Sequence, residues 1–178
     1  MKYLKYFEQA SAYEAYKNGS DYVLPNVSYA KDNNTVYYHP FEYVDPMANY
    51  LTIEALEDGL TVSLSTNECE YCVDGDGNWK VLNADTTTES INSGQTLSFR
   101  GNLTPQSYKG IGTFTINNKC NLRGNCMSML FGDNAVDNYS LSGKDNAFYR
   151  LFYNCSNIVN VSDNFLPATT LADHCYQY

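Results

Sequence analysis

The sequence predicts a mainly β protein: a short N-terminal helix plus a β-hairpin, then a small antiparallel β-sandwich, then the beginning of a repeat coil. Three observations support this fold class. The first forty residues change from helical to alternating apolar spacing, residues 50–118 contain short strand patterns between turns, and the end of the chain repeats itself. The predicted organisation is a docking helix and hairpin over 1–40, a linker over 41–49, the sandwich over 50–118, and a repeat-like region over 119–178.

The N-terminal segment has apolar residues at helical spacing from Lys2 to Lys17, followed by the stop signal Asn18-Gly19. Alternation over 21–30 and the strand pattern over 35–38 then predict a hairpin. About forty residues bury too little surface to be stable without another surface to pack on. We therefore predict that the aromatic side chains of this segment dock on another chain of a particle. An equal alternative is that the segment is a flap folded onto the following domain. The predicted docking residues are Tyr3, Phe7, Tyr22 and Tyr37.

The middle of the chain is predicted to form short strands separated by turns that contain glycine, such as Ser93-Gly94 and Lys109-Gly110. Even spacing of this kind is typical of a small antiparallel sandwich. We expect Trp79 and Phe99 to anchor its core. The predicted strands cover Tyr50–Ala55, Leu60–Ser65, Glu70–Val73, Trp79–Leu82, Thr96–Arg100 and Gly112–Ile116.

The end of the chain contains an internal repeat, in which residues 146–150 align with residues 174–178 at an offset of 28 residues. Offsets of about 20–30 residues are typical of leucine-rich-repeat coils. Phe148, Leu151 and Phe152 have the spacing of one apolar helix face, and Ile158–Val161 is predicted to be the strand that follows. A helical hairpin of an ordinary domain is the alternative.

Two stretches also resemble known protein families. The C-terminal phrases Phe152-x-x-Cys155-x-x-Ile158, Leu166-Pro-Ala-Thr-Thr-Leu171 and Cys175-Tyr176 resemble the BspA-like leucine-rich repeats of gut Bacteroides surface proteins and of their phages. The N-terminal phrases Tyr22–Ser28 and Val36–Tyr38 resemble the opening segment of virion and fibre-like proteins of crAss-like phages.

These resemblances imply a non-catalytic virion structural protein, most simply a head or tail fibre located on the virion. Its N-terminal segment would dock on other virion proteins of the capsid or tail, and its distal part would project towards a host surface glycan or protein. Fibres of this kind are commonly homotrimers, so the resemblance also implies a homotrimer. A BspA-like adhesin on the bacterial cell surface is the alternative.

The amino-acid composition favours some kinds of binding partner and disfavours others. The chain has 178 residues, 17 tyrosines, 17% charged residues and a net charge of −9. Tyrosine-rich, charge-poor surfaces favour binding and self-association. The acidic balance argues against a nucleic-acid partner, since no basic cluster is present to contact phosphates. The sequence contains no apolar run of membrane-spanning length, so we predict no membrane insertion.

Candidate chemical motifs favour structural roles. Asp74-Gly-Asp-Gly-Asn78 begins like a calcium loop, but Trp79 stands where the loop needs glycine, so a hairpin turn is predicted. Cys69 and Cys72 lie on one predicted strand, where residues three apart point to opposite faces, which disfavours a zinc site.

The remaining reactive side chains give no enzyme signature. His39 and His174 have no catalytic partners in recognisable positions. The opening residues have no signal-peptide core, so we expect six free, packed thiols, with a disulfide framework as the alternative. Cys155 and Cys175 are predicted to pack inside the repeat. We predict no catalytic site, no cofactor and no metal.

Overall fold

A computed structural model describes residues 29–32, 35–38 and 46–177 of the chain. The chain divides into two compact units, Met1–Tyr43 and Val44–Tyr178, and the division falls inside the predicted linker. In the first unit, β1 (Tyr29–Asp32) and β2 (Thr35–Tyr38) form an antiparallel hairpin in which Asp32 lies opposite Thr35. The helix predicted from Lys2 to Lys17 lies outside the described residues.

The second unit consists mainly of short strands. A 3-10 helix over Pro46–Asn49 precedes them, and a second one over Gly132–Asp137 follows the short helix α1 (Ser128–Phe131). The strands are β3 (Leu51–Ala55), β4 (Val62–Leu64), β5 (Cys69–Val73), β6 (Lys80–Leu82), β7 (Thr96–Arg100), β8 (Phe114–Ile116), β9 (Cys120–Arg123) and β10 (Ile158–Val161). The predicted mainly β fold is confirmed.

Six of these strands form one mixed sheet, in the order β10-β9-β3-β7-β5-β6, while β4 and β8 form a separate antiparallel pair. The sheet is antiparallel except where β10 pairs in parallel with β9. All strand pairs within residues 50–118, the predicted antiparallel sandwich, are antiparallel, and the parallel pair lies in the region that follows it. The 34 residues between β9 and β10 carry the chain back to the other end of the sheet, which a parallel pairing requires.

The core lies between the two sheets. Leu51 and Ile53 of β3 and Leu97 and Phe99 of β7 share one face of the large sheet, because strand residues alternate between faces, and all four are fully buried. The Phe99 ring meets the Phe114 ring of β8 edge-to-face, with 5.2 Å between ring centroids. Phe99 is thus a core residue, as predicted.

Trp79 is not a core residue, and that prediction was wrong. Leu82 of β6 faces the core, so Trp79, three residues earlier, falls on the outward face of the sheet. It is half-buried there against Tyr50 and Arg100. A single tryptophan in a strand pattern did not reveal which face it occupies.

Strand β9 was absent from the predicted strands. It pairs with β3, so that Ile53 lies opposite Leu122, and it pairs with β10 on its other side. The border placed between residues 118 and 119 therefore lies just before a strand of the large sheet. Cys-Asn-Leu-Arg is too short and too polar to be recognised without its neighbours.

The helix predicted over Phe148–Phe152 was wrong, because residues 145–154 form consecutive turns. Asn146, Arg150 and Asn154 each have a positive φ, and this left-handed conformation at every fourth residue prevents an α-helix. Phe148 and Leu151 are nevertheless buried. The strand predicted over Ile158–Val161 is confirmed as β10.

The internal repeat corresponds to a structural one. Asn146 and His174, which the alignment pairs, both have positive φ, and the next aligned pair, Ala147 and Cys175, is buried. The rings of the following pair, Phe148 and Tyr176, stack with 5.5 Å between centroids and 7° between planes.

Backbone bonds run in parallel between the two copies. The N–H groups of residues 146, 148 and 150 donate to the carbonyl oxygens of residues 173, 175 and 177, at 2.7–2.9 Å. Assignment of these coils to the leucine-rich-repeat class stays a prediction.

Candidate binding face

The outward face of the large sheet contains a row of shielded polar side chains. Thr52 of β3, Ser98 of β7 and Cys72 of β5 are cross-strand neighbours in the register, and all three are buried. The Thr52 and Ser98 hydroxyls are hydrogen-bonded at 2.9 Å. Next to Cys72, in the direction of β6, the following outward-facing residue is Trp79. The centre of this face is therefore shielded from solvent.

An aromatic–arginine cluster, consisting of Tyr50, Trp79, Arg100, Glu70 and Asp133, lies beside this row. The Arg100 guanidinium is 4.1 Å from the centroid of the Trp79 ring, and the Tyr50 ring meets Trp79 edge-on at 5.0 Å. Arg100 Nε donates to Glu70 Oε2 at 2.8 Å, and its Nη1 donates to both Asp133 oxygens at 2.8 and 3.1 Å. The Tyr50 hydroxyl donates to Asp133 Oδ1 at 2.8 Å.

The electrostatics of the cluster keep Asp133 and Arg100 charged and Tyr50 neutral. The hydrogen bond from Tyr50 and the contact with Arg100 lower the pKa of Asp133. Partial burial, followed by the bond to Asp133, raises the pKa of Tyr50. Burial acts to lower the pKa of Arg100, but its bonds to Glu70 and Asp133 outweigh that effect, so the pKa is raised. At neutral pH the cluster thus presents a fixed ring system next to paired charges, as a pre-organised recognition surface requires.

Two clefts open near this cluster. The smaller cleft has a volume of about 230 Å³. It is lined by three residues of the cluster, Glu70, Arg100 and Asp133, together with Asn102 and Phe131.

The larger, called here the polar cleft, has a volume of about 510 Å³. It lies across the ends of β3, β7 and β9 and the turn that follows β10. Its walls are formed by Ala48, Thr52, Asp74, Thr96, Arg123, Gly124, Ser162, Asp163 and Asn164.

The side chains of the polar cleft are held by the fold. Asp74 has a positive φ at the end of β5, which turns its carboxylate back to accept from the Thr96 N–H at 2.7 Å and the Gln95 amide at 2.8 Å. Arg123 forms an ion pair with Glu54 across β9 and β3, at 3.1 Å. The strand side of the wall is therefore held by hydrogen bonds and an ion pair.

The predicted docking residues do not lie in this face. Tyr3, Phe7 and Tyr22 fall outside the described residues, and Tyr37 belongs to β2, opposite Ala30. Their docking role stays a prediction.

The cluster, apart from Trp79, and the polar cleft were not predicted, because their residues come from strands and turns that are distant in sequence. The only available signal was the single tryptophan beside alternating polar residues.

The cysteines are free thiols in unreactive surroundings, as expected. Burial raises the pKa of Cys69 and of Cys126 to about 12, which leaves almost no thiolate at neutral pH. Cys69 faces the core and Cys72 the outward face, so the two do not form a zinc pair. Cys175 is buried as predicted, and the half-buried Cys155 donates to the Phe114 carbonyl oxygen at 2.9 Å.

The other motifs have structural roles as well. Asp76 accepts from the Asn78 N–H at 2.9 Å within the turn joining β5 and β6, and the Asp74 carboxylate is held by Thr96. In the described part of the chain, no group of three His, Cys, Asp or Glu side chains could hold a metal ion. His174 is exposed at the surface, and His39 lies outside the described residues.

The fold and this face define a mainly β protein with a mixed central sheet and a pre-organised polar and aromatic surface. Comparison of the chain with protein-family models, with curated proteins and with solved structures found no match. Among the described residues, no helix is both long enough and apolar enough to cross a membrane.

Proposed function

We propose that this chain is a non-catalytic structural protein of a virion, a head or tail fibre that contacts a host surface glycan or protein. The observation that supports recognition is the outward sheet face. There, Trp79, Tyr50 and Arg100 are held in one arrangement by Glu70 and Asp133. Aromatic rings and arginine fixed in advance lose little entropy on contact, which favours a binding role. The virion assignment rests on the N-terminal resemblance.

The second candidate is a bacterial cell-surface adhesin. The parallel stacking of residues 146–150 on residues 173–177 supports it, because stacked coils form extended binding surfaces in repeat proteins. The two candidates differ in location, on the virion or on the bacterial envelope.

We also propose that the chain self-associates, as a homotrimer. Large apolar side chains remain exposed near the C-terminal end, among them Val159, Val161, Leu166 and Leu171. β10 is an edge strand of the described sheet, and its residues Ile-Val-Asn-Val include no charge to discourage pairing with another chain. Sedimentation velocity in dilute solution tests this proposal, and a concentration-independent monomer would reject it.

Location is tested by separating a lysate into phage particles and cell envelopes on a density gradient and probing each fraction with an antibody to this chain. The proposal expects the chain to co-sediment with particles. Recovery only with the envelope would replace the virion assignment by the adhesin.

Recognition is tested by binding of the labelled protein to host cells. Trp79→Ala is expected to reduce cell binding by at least tenfold. The matched control is Tyr108→Ala, which removes a highly exposed aromatic residue outside this face. Equal loss in both variants would contradict a specific role for the face.

A further inference from the structure

We infer that the aromatic–arginine cluster binds a protein, through a segment that carries a lysine or arginine side chain, and not a glycan. This deepens the proposed function, on which it rests, by naming the class of partner that the outward face recognises. The residue types of the cluster, the charge it presents to solvent and the unpaired groups of the adjacent smaller cleft support this class of partner.

The cluster consists of residue types that dominate contacts between proteins. Tryptophan, tyrosine and arginine are enriched among the residues that carry most of the binding energy of protein interfaces. The Trp79 ring is half-buried, with the Arg100 guanidinium 4.1 Å from its centroid and the Tyr50 ring edge-on at 5.0 Å. A sugar ring stacks on an open aromatic face, and the guanidinium covers one face of Trp79. The cluster therefore suits protein side chains better than a sugar ring.

Val81 adds apolar surface to the same face. It lies directly opposite Glu70 in the antiparallel pairing of β5 with β6, so the two side chains share the outward side of the sheet. Val81 is 53% exposed, in contrast with the buried centre of the face. An apolar side chain of a protein partner can cover this valine, whereas a glycan presents mainly hydroxyl groups to it.

The charge that the cluster presents to solvent is negative. It contains two carboxylates, from Glu70 and Asp133, and one guanidinium, from Arg100. The carboxylate side chains are 43% and 64% exposed and the Arg100 side chain only 22%, so the anions are the more accessible charges. Complementary charge across an interface speeds association and disfavours wrong partners. A lysine or arginine of the partner matches this surface, and an acidic partner is repelled by it.

The smaller cleft beside Arg100 offers polar groups that have no partner. In the described part of the chain, the side-chain amides of Asn102 and Asn134, which both line this cleft, form no hydrogen bond. Amides both donate and accept, as the N–H and carbonyl groups of a peptide backbone do. The volume of about 230 Å³ lies below the range of about 300–1,000 Å³ that is common for small-ligand sites. The cleft therefore fits one side chain of a protein segment with its adjacent backbone.

The experiment measures binding of the labelled full chain to host cells after two separate treatments of the cells. A protease of broad specificity removes surface proteins, whereas periodate oxidises the vicinal diols of glycans and leaves peptide bonds intact. We expect the protease to abolish the binding that depends on Trp79, and periodate to leave that binding unchanged.

Two variants with the same substitution test the charge and position of the contact. Asn134→Lys places a cation in the wall of the smaller cleft, and we expect it to weaken cell binding by about tenfold because it repels a basic segment. Asn92→Lys is the matched control, since Asn92 is also exposed but lines neither cleft, and its binding should equal that of the wild type. Thermal unfolding checks that each variant is folded. If Asn134→Lys is unfolded, Asn102→Lys in the same wall takes its place.

The inference is overturned if binding survives the protease, or if periodate removes it, alone or together with the protease. It is also overturned if the folded lysine variant of the cleft binds as well as Asn92→Lys. All these results keep the proposed function, because the chain still binds host cells through Trp79. Absence of any Trp79-dependent binding to untreated cells would instead reject the proposed function, and the inference with it.

Discussion

Ser128 is expected to stabilise the fold more than any other buried hydroxyl in the described chain, and Ser128→Ala tests this. Its Oγ accepts from the Leu51 N–H at 2.9 Å and donates to the Phe99 carbonyl oxygen at 2.8 Å, in a fully buried position on α1. Leu51 and Phe99 are directly opposed on β3 and β7. The serine therefore bridges two central strands and joins them to the helix.

The size of the expected loss in stability follows from the Leu51 N–H and the Phe99 carbonyl oxygen, which lose their partner. Ser128→Ala leaves one buried N–H and one buried carbonyl without this partner, and each such loss costs about 1–3 kcal/mol. We expect the free energy of unfolding to fall by about 3 kcal/mol, which for a domain of this size lowers Tm by about 10 °C. Ser98→Ala is the matched control, because Ser98 is equally buried but its one described bond is to the Thr52 hydroxyl. Thr52 also donates to the Tyr50 carbonyl oxygen, so this loss should cost about 1 kcal/mol.

Urea denaturation, followed by tryptophan fluorescence and circular dichroism, measures both variants. The m-value should stay at the wild-type value, so that the change in midpoint reports stability alone. If Ser128→Ala were no more destabilising than Ser98→Ala, the bridging argument would be refuted.

Three further predictions concern backbone, charge and thiol chemistry. Gly124→Ala should prevent folding or reduce stability by several times the effect of Gly94→Ala in thermal unfolding. Both glycines have positive φ, but a Cβ on Gly124 would overlap the Tyr50 carbonyl oxygen, whereas one on Gly94 meets open space. Asp133→Asn should reduce stability at pH 7 but not near pH 2. Because the folded-state pKa of Asp133 is lowered, its carboxylate stabilises the fold above the unfolded-state pKa, and this stabilisation is lost as pH falls through the folded-state pKa. Denaturation measured from pH 7 to pH 2 should therefore show the stabilities of the two proteins converging. Cys126 should react with iodoacetamide at pH 7.5 far more slowly in native than in unfolded protein, as mass spectrometry can measure, because burial raises its pKa to about 12; equal rates would contradict its burial.

Local sequence patterns determined most of the strands and the internal repeat. Thr96–Arg100 and Ile158–Val161 were predicted with the bounds that the structure has, because alternation of side chains over a strand is a local property. The alignment of residues 146–150 with 174–178 correctly paired Phe148 with Tyr176, because equivalent turns place equivalent side chains at the same depth. The free state and burial of Cys175 were also predictable.

Only the tertiary structure decided how these pieces combine. Trp79 faces outward because of its register relative to Leu82 and Tyr71, and a register depends on the neighbouring strand. The turns over 145–154 replace a helix because the N–H groups of residues 146, 148 and 150 bond to residues 173, 175 and 177, which leaves only single-turn bonds between them. The polar cleft brings together Asp74, Arg123 and Asp163, which are separated by about forty to ninety residues, so no local pattern could indicate it. Local periodicity encodes which residues form strands, while pairing between distant strands decides which side chains meet.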